Sequence, residues 1–131
     1  MSTKSVLIAL WVAAIILTAC ARAPQETGIL EGHVTIGPLS PVVRVDEPEP
    51  TPNPAVYAER AVVVYKVDGK TEVVRLDIDV EGNYQTELPA GTYVVDINHA
   101  GIDRAADLPK EITITSQQTT RLDIDIDTGI R

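Results

Sequence analysis

Residues 72–98 read EVVRLDIDVEGNYQTELPAGTYVVDIN. Leu76, Ile78 and Val80 fall on one parity, and Arg75, Asp77 and Asp79 on the other. An alternation of period two is the pattern of a half-buried strand, apolar side inward. Glu81-Gly82-Asn83 breaks it with turn residues, and Tyr84–Leu88 resumes it. Pro89-Ala90-Gly91 turns the chain again into Thr92–Asn98, where Tyr93, Val95 and Ile97 face inward. Three strands joined by short turns point to antiparallel β structure.

The same grammar extends in both directions. Gly28–Ile36 alternates, with Leu30, Val34 and Ile36 on one face and Glu31, His33 and Thr35 on the other. Ala61–Val67 is almost continuously apolar, as in a strand covered on both sides, and Asp68-Gly69 after it is a hairpin signal. Residues 99–110 form a loop, and Glu111–Thr115 and Thr119–Asp127 complete the set. Seven short strands and no convincing helix predict an all-β protein, an antiparallel β-sandwich over residues 28–131. The chain has 131 residues, enough for one domain, with 44% hydrophobic residues and no Phe. Its core is therefore aliphatic.

Gly37–Arg60 departs from this pattern. It holds six of the nine prolines, at 38, 41, 48, 50, 52 and 54. Proline at that density blocks helices and sheet ladders and favours extended backbone. Strand faces offer little chemistry, whereas loops on rigid scaffolds carry binding residues. Val45, Asp46, Glu47, Pro48 and Glu49 are accordingly the candidate partner-binding strip, acidic and of low conformational entropy; the alternative is a disordered insertion that simply keeps the domain soluble.

The N-terminus carries the strongest functional signal. Residues 1–20 read MSTKSVLIALWVAAIILTAC, a start bearing Lys4 followed by a fourteen-residue apolar run, Val6–Ala19. That run suits a signal-peptide core and is short for a membrane span, which takes about 20 residues. It ends in Leu17-Thr18-Ala19-Cys20, which resembles the bacterial lipobox. The resemblance implies removal of residues 1–19 and a diacylglyceryl thioether on Cys20, the only cysteine. Residues 20–27 then form a lipidated tether. The seven residues after Cys20 reach at most about 25 Å, so the domain sits close to the bilayer.

The net charge is -8, and without Lys4 the mature chain has 10 Lys and Arg against 19 Asp and Glu. With no basic patch, nucleic acid is excluded as a partner. A lone cysteine excludes an internal disulfide and a multi-cysteine zinc site. His33 and His99 are far apart in sequence and read as surface histidines. No nucleophile elbow, phosphate loop or dinucleotide fingerprint is present, so neither catalytic residues nor a cofactor is expected. The segments Arg75–Asp79 and Arg121–Asp125 repeat RLDID, with Asp127 following the second. If those strands were neighbours, their carboxylates would converge and could hold Ca²⁺. A solvated outer face is the simpler reading. Asp77-x-Asp79-x-Glu81-Gly82 imitates the start of an EF-hand loop, but Leu88 stands at its twelfth position where Glu is needed.

Three pieces resemble the carboxypeptidase regulatory-like domains, which have a transthyretin-like sandwich. They are Gly32-His33-Val34, Asp79–Tyr84 and Leu88–Val95, the last similar to L-P-x-G-x-Y-x-V and the most specific. The resemblance implies an accessory, non-catalytic domain. Gly37–Val42, together with the ending Asp127–Arg131, resembles a group of small secreted or lipid-anchored bacterial proteins of unassigned role. The expectation is a monomeric envelope lipoprotein on the cell membrane, facing the periplasm or exterior. Its role is structural or partner-binding, with an envelope protein or glycan as partner. The alternative is a calcium- or ligand-binding accessory module.

Overall fold

The computed structural model describes residues 23–41, 45–48 and 50–130. Among these residues, eight strands form two four-stranded sheets. The first orders β4 (Asn83–Pro89), β1 (Thr27–Gly37) and then β7 (Thr119–Arg121), with β8 (Ile124–Asp127) also on β1. The second orders β3 (Glu72–Asp77), β2 (Ala61–Lys66), β5 (Gly91–Ile97) and β6 (Lys110–Ile114). The all-β sandwich expected from the alternation is the fold. Leu30, Val34, Ile36, Ile124 and Ile126 of the first sheet meet Val62, Val64, Val95, Ile97 and Ile114 of the second in one aliphatic core. Ala61–Val64 are all buried, as an uninterrupted apolar run requires.

Three details differ from the alternation rule. Thr119–Asp127 is two strands, and both run parallel to β1, pairing Ile29–Glu31 and Val34–Gly37. The ladder breaks between them, where the Leu122 N–H donates to the Glu31 carbonyl and the His33 N–H donates to the Asp123 carboxylate instead of a carbonyl. The side chain of Asp123 thus replaces a missing backbone acceptor. Second, Val80 is 66% exposed rather than inward. The Asp79 carboxylate accepts from the backbone N–H groups of Glu81 and Asn83, at 2.9 and 2.8 Å. That turn begins before Val80 and lifts it off the core face. Third, the proline segment ends in a short helix, α1 (Pro54–Ala58). Asn53 caps it by accepting from the Ala55 N–H, and Pro54 stands in its first turn, where no N–H is needed.

The strand ends sort the connections into two poles. The base holds the start of β1, the β2–β3 hairpin, Ala90 and residues 115–118. Its parts are joined by Ala90 N–H to the Glu26 carbonyl and Gln117 N–H to the Thr27 carbonyl, at 2.9 and 2.8 Å. The end of β1, the proline segment, α1, residues 98–109 and the C-terminal residues lie at the far pole. The eleven residues of β1 separate the two by about 33 Å.

Candidate functional site

The far pole is where side chains of mixed chemistry gather. The Gly37 carbonyl accepts from the Thr128 N–H, and the Pro38 carbonyl accepts from its hydroxyl at 2.6 Å. The chain thus leaves β1 fastened to the C-terminal residues. After the prolines it returns through α1, whose Tyr57 is 6% exposed and joins the core. The Tyr57 hydroxyl lies 3.1 Å from where a Cβ on Gly82 would stand, and the Val34 carbonyl oxygen lies 2.8 Å from it. Gly82 also has φ +88°, so no other residue fits there without strain.

Arg60, just past α1, makes a buried bidentate pair with Asp103, at 2.6 and 3.1 Å. Its remaining nitrogen donates to the Val56 carbonyl at 2.8 Å. The paired side chains are 12% and 4% exposed, so water screens the interaction little. Arg104 forms a two-way backbone bridge with Asp127 on the edge of β8. Loop 99–109 is thereby clamped to α1 on one side and to β8 on the other.

Between these elements lies an open groove of about 670 Å³. Pro50, Pro52 and Tyr57 line one side; His33 of β1 and Asp125 and Asp127 of β8 line another. Its volume is within the ordinary range for ligand pockets. His33 Nδ1 lies 3.0 Å from the Asn83 side-chain oxygen. The neighbouring Asp123 is held below the usual carboxylate range, by the His33 N–H first and by Arg121 next. The wall of prolines beside the carboxylates is suited to holding an extended segment. Among the described residues, nothing in the lining resembles a nucleophile paired with a base.

The sequence-based candidates separate. Cys20 and Glu49 lie outside the described residues. Val45, Asp46, Glu47 and Pro48 are all exposed, Val45 at 99%. The two RLDID segments are not neighbouring strands: Arg75–Asp79 closes β3 on an edge of the second sheet, and Arg121–Asp125 spans the break between β7 and β8 on the first, although Asp77 and Asp79 line one cleft with Glu31 and Arg121. Among the described residues no three His, Cys, Asp or Glu side chains converge on a metal-sized position. His33 is on the first sheet; His99 follows β5 of the second and pairs instead with Asp96 at 3.0 Å. The Asp96 hydrogen bond raises the His99 pKa. Sequence reasoning missed Tyr57 and the Arg60–Asp103 pair. Asn53-Pro54 was the one local clue, since Asn before Pro is a helix start.

No protein-family model and no curated protein matches the chain. Among solved structures it is similar to the minor pilin of Streptococcus agalactiae. Identity there is 18% and the TM-score 0.54, over 79% of this chain and 45% of the pilin. What the two share is a sandwich. A DUF3823 family protein from Parabacteroides merdae follows at 12% identity and TM-score 0.47, over 77% of this chain and 46% of that one. The chain therefore spans about half the length of the solved proteins it resembles.

Proposed function

We propose that this protein is a non-enzymatic envelope lipoprotein, tethered through a lipid on Cys20, whose β-sandwich holds a binding pole away from the membrane. Residues 1–19 act as the signal, 20–27 as the tether and 28–131 as the domain. The observation that carries this is positional. The lone cysteine ends a lipobox-like sequence seven positions ahead of Thr27, and Thr27 enters at the pole opposite the proline segment. A lipid at Cys20 would thus put the base on the bilayer and the groove about 33 Å farther out. Among the described residues no helix is long and apolar enough to cross a membrane.

Two further features favour an accessory rather than catalytic role. The stretches that resemble carboxypeptidase regulatory-like domains act here as turn and core devices. Gly82 makes the β3–β4 turn with φ +88°, and the Tyr93 hydroxyl closes the β4–β5 turn on the Pro89 carbonyl at 2.6 Å. The sandwich is also that of a minor pilin. The partner, an envelope protein or glycan, would meet the exposed Val45–Pro48 strip and the groove beside it.

Replacing Cys20 with Ser tests the anchor. The expected result is loss of detergent-phase partitioning or blocked maturation, with the mass of the lipid absent from the N-terminal peptide. A Cys20→Ser chain that matured and stayed with membranes would overturn the assignment.

A further inference from the structure

We propose that the β2–β3 hairpin, residues 66–75, is the face that rests on the bilayer, with anionic lipid headgroups as its partner. The inference rests on the anchoring reading above and adds to it an orientation and a contact surface.

Lys66 stands opposite Tyr93 in the β2–β5 register, and Gly91 begins β5 right after Ala90. Ala90 is bonded to Glu26 of the entering tether. The hairpin and the anchor point therefore share one pole. A tether reaching at most about 25 Å keeps that pole within reach of the headgroups.

The hairpin's side chains also suit a headgroup layer. Val67 is 64% exposed and Val73 39%, and Tyr65 beside them is half-buried. An aromatic with exposed aliphatics and lysines is the composition of an interfacial contact. Residues 66–75 carry Lys66, Lys70 and Arg75 against Asp68 and Glu72, a cationic excess in a chain of net charge -8. Both carboxylates are engaged locally. Asp68 accepts from Thr71 and Lys70, and Glu72 pairs with Arg75 at 3.2 Å. The opposite pole carries Asp46, Glu47, Glu59, Asp79, Glu81 and Asp107 against the exposed Arg104 and Lys110, a net negative balance that an anionic surface repels. Each Lys or Arg near such a surface is worth roughly fivefold in occupancy, too little to hold an untethered domain but enough to orient a tethered one.

Trp11 is the only tryptophan, so a full chain carrying Trp11→Phe and Val67→Trp has a single reporter at the hairpin tip. Val67 is exposed, so the exchange leaves the core intact. The protein is extracted from membranes and reconstituted in phosphatidylcholine–phosphatidylglycerol vesicles with chains brominated near the headgroup. Bromine contact should quench the Val67→Trp reporter, whereas the same reporter at the exposed Ala106 of the far pole stays bright. High salt, or Lys66→Glu with Lys70→Glu, should restore the hairpin signal. Equal signals at the two positions would overturn the proposal. The mass of the same sample separates the two readings. A hairpin-specific loss of fluorescence in protein still held by residues 1–19, with no lipid on Cys20, supports the contact face and sinks the lipoprotein assignment. Equal signals in lipidated protein sink the contact face alone.

Discussion

A methyl group on Gly32 would sit 1.8 Å from the carbonyl oxygen of Leu122. That oxygen belongs to the backbone at the break between β7 and β8, so it cannot swing aside as a side-chain tip would. Glycine at 32 is what lets the interrupted strand lie against β1. Gly32→Ala should cost about 3 kcal/mol, at the upper end of overpacking penalties. Urea denaturation measures it directly, and a loss below about 1 kcal/mol would show that the break relaxes freely.

The same carbonyl takes a hydrogen bond from the Tyr84 hydroxyl at 2.5 Å. Tyr84 is 3% exposed, and burial pushes its phenol well above the usual range. Removing the hydroxyl keeps the ring but strands a buried acceptor. Tyr84→Phe should therefore destabilise by about 1–3 kcal/mol, with the strand content unchanged by circular dichroism. An unaltered midpoint would mean that water reaches Leu122.

Why the sandwich was legible and the far pole was not follows from range. Leu30, Val34 and Ile36 declare their face within a few residues, because side chains alternate along a strand. Ala61–Val64 declare burial on both sides by having no polar member. Leu122 and Asp123 look like two more steps of the same alternation; the break there depends on Gly32 and His33, ninety residues away. Tyr57 sits among prolines that suggest only extended chain. Its burial depends on the space beside Gly82, which local pattern does not reveal. The Arg60–Asp103 pair is likewise a meeting of two loops. The exposed strip 45–48 was legible because charge and proline both disfavour burial.

That pair should behave as a clamp. Removing either partner leaves the other's charge buried, which costs about 3 kcal/mol or more. Arg60→Ala and Asp103→Ala should each lower stability by that amount, and the double variant should lose far less than their sum. Hydrogen exchange should show residues 99–109 and α1 loosening together. Additive losses would mean that the two groups act independently.

Stability should depend on pH in two windows. Asp68 is lowered to about 2, chiefly by the Thr71 hydroxyl, and Asp79 and Asp123 are also depressed by backbone N–H donors. A depressed carboxylate contributes stability above its unfolded value of 3.8 and loses it as pH falls through the folded value. The melting temperature should accordingly decline from about pH 5 toward pH 2. His99 is raised by Asp96, so its contribution is complete below 6.5 and fades as pH rises through the folded value. His99 is largely exposed, so that second effect is small, and His99→Gln should abolish it without touching the acid limb. A Gln variant with an unchanged neutral-pH slope would assign it elsewhere.

The proline segment should divide energetically at its own midpoint. Val45–Pro48 are exposed and make no packing contribution to the core. Replacing these four residues with Gly and Ser should change the melting temperature by little, since surface substitutions stay within about 0.5 kcal/mol. Asn53 and Pro54 start α1, and Tyr57 packs into the core, so a deletion reaching them removes structure. Tyr57→Ala should cost about 3–4 kcal/mol, the range for emptying a buried aromatic site. A binding partner captured by the intact protein should be lost on the 45–48 replacement while the fold remains. If the replacement unfolds the domain, the strip is part of the scaffold. If it folds and still captures the partner, the groove walls at Pro52, His33 and Asp125 carry the contact instead, and Asp125→Lys becomes the discriminating variant.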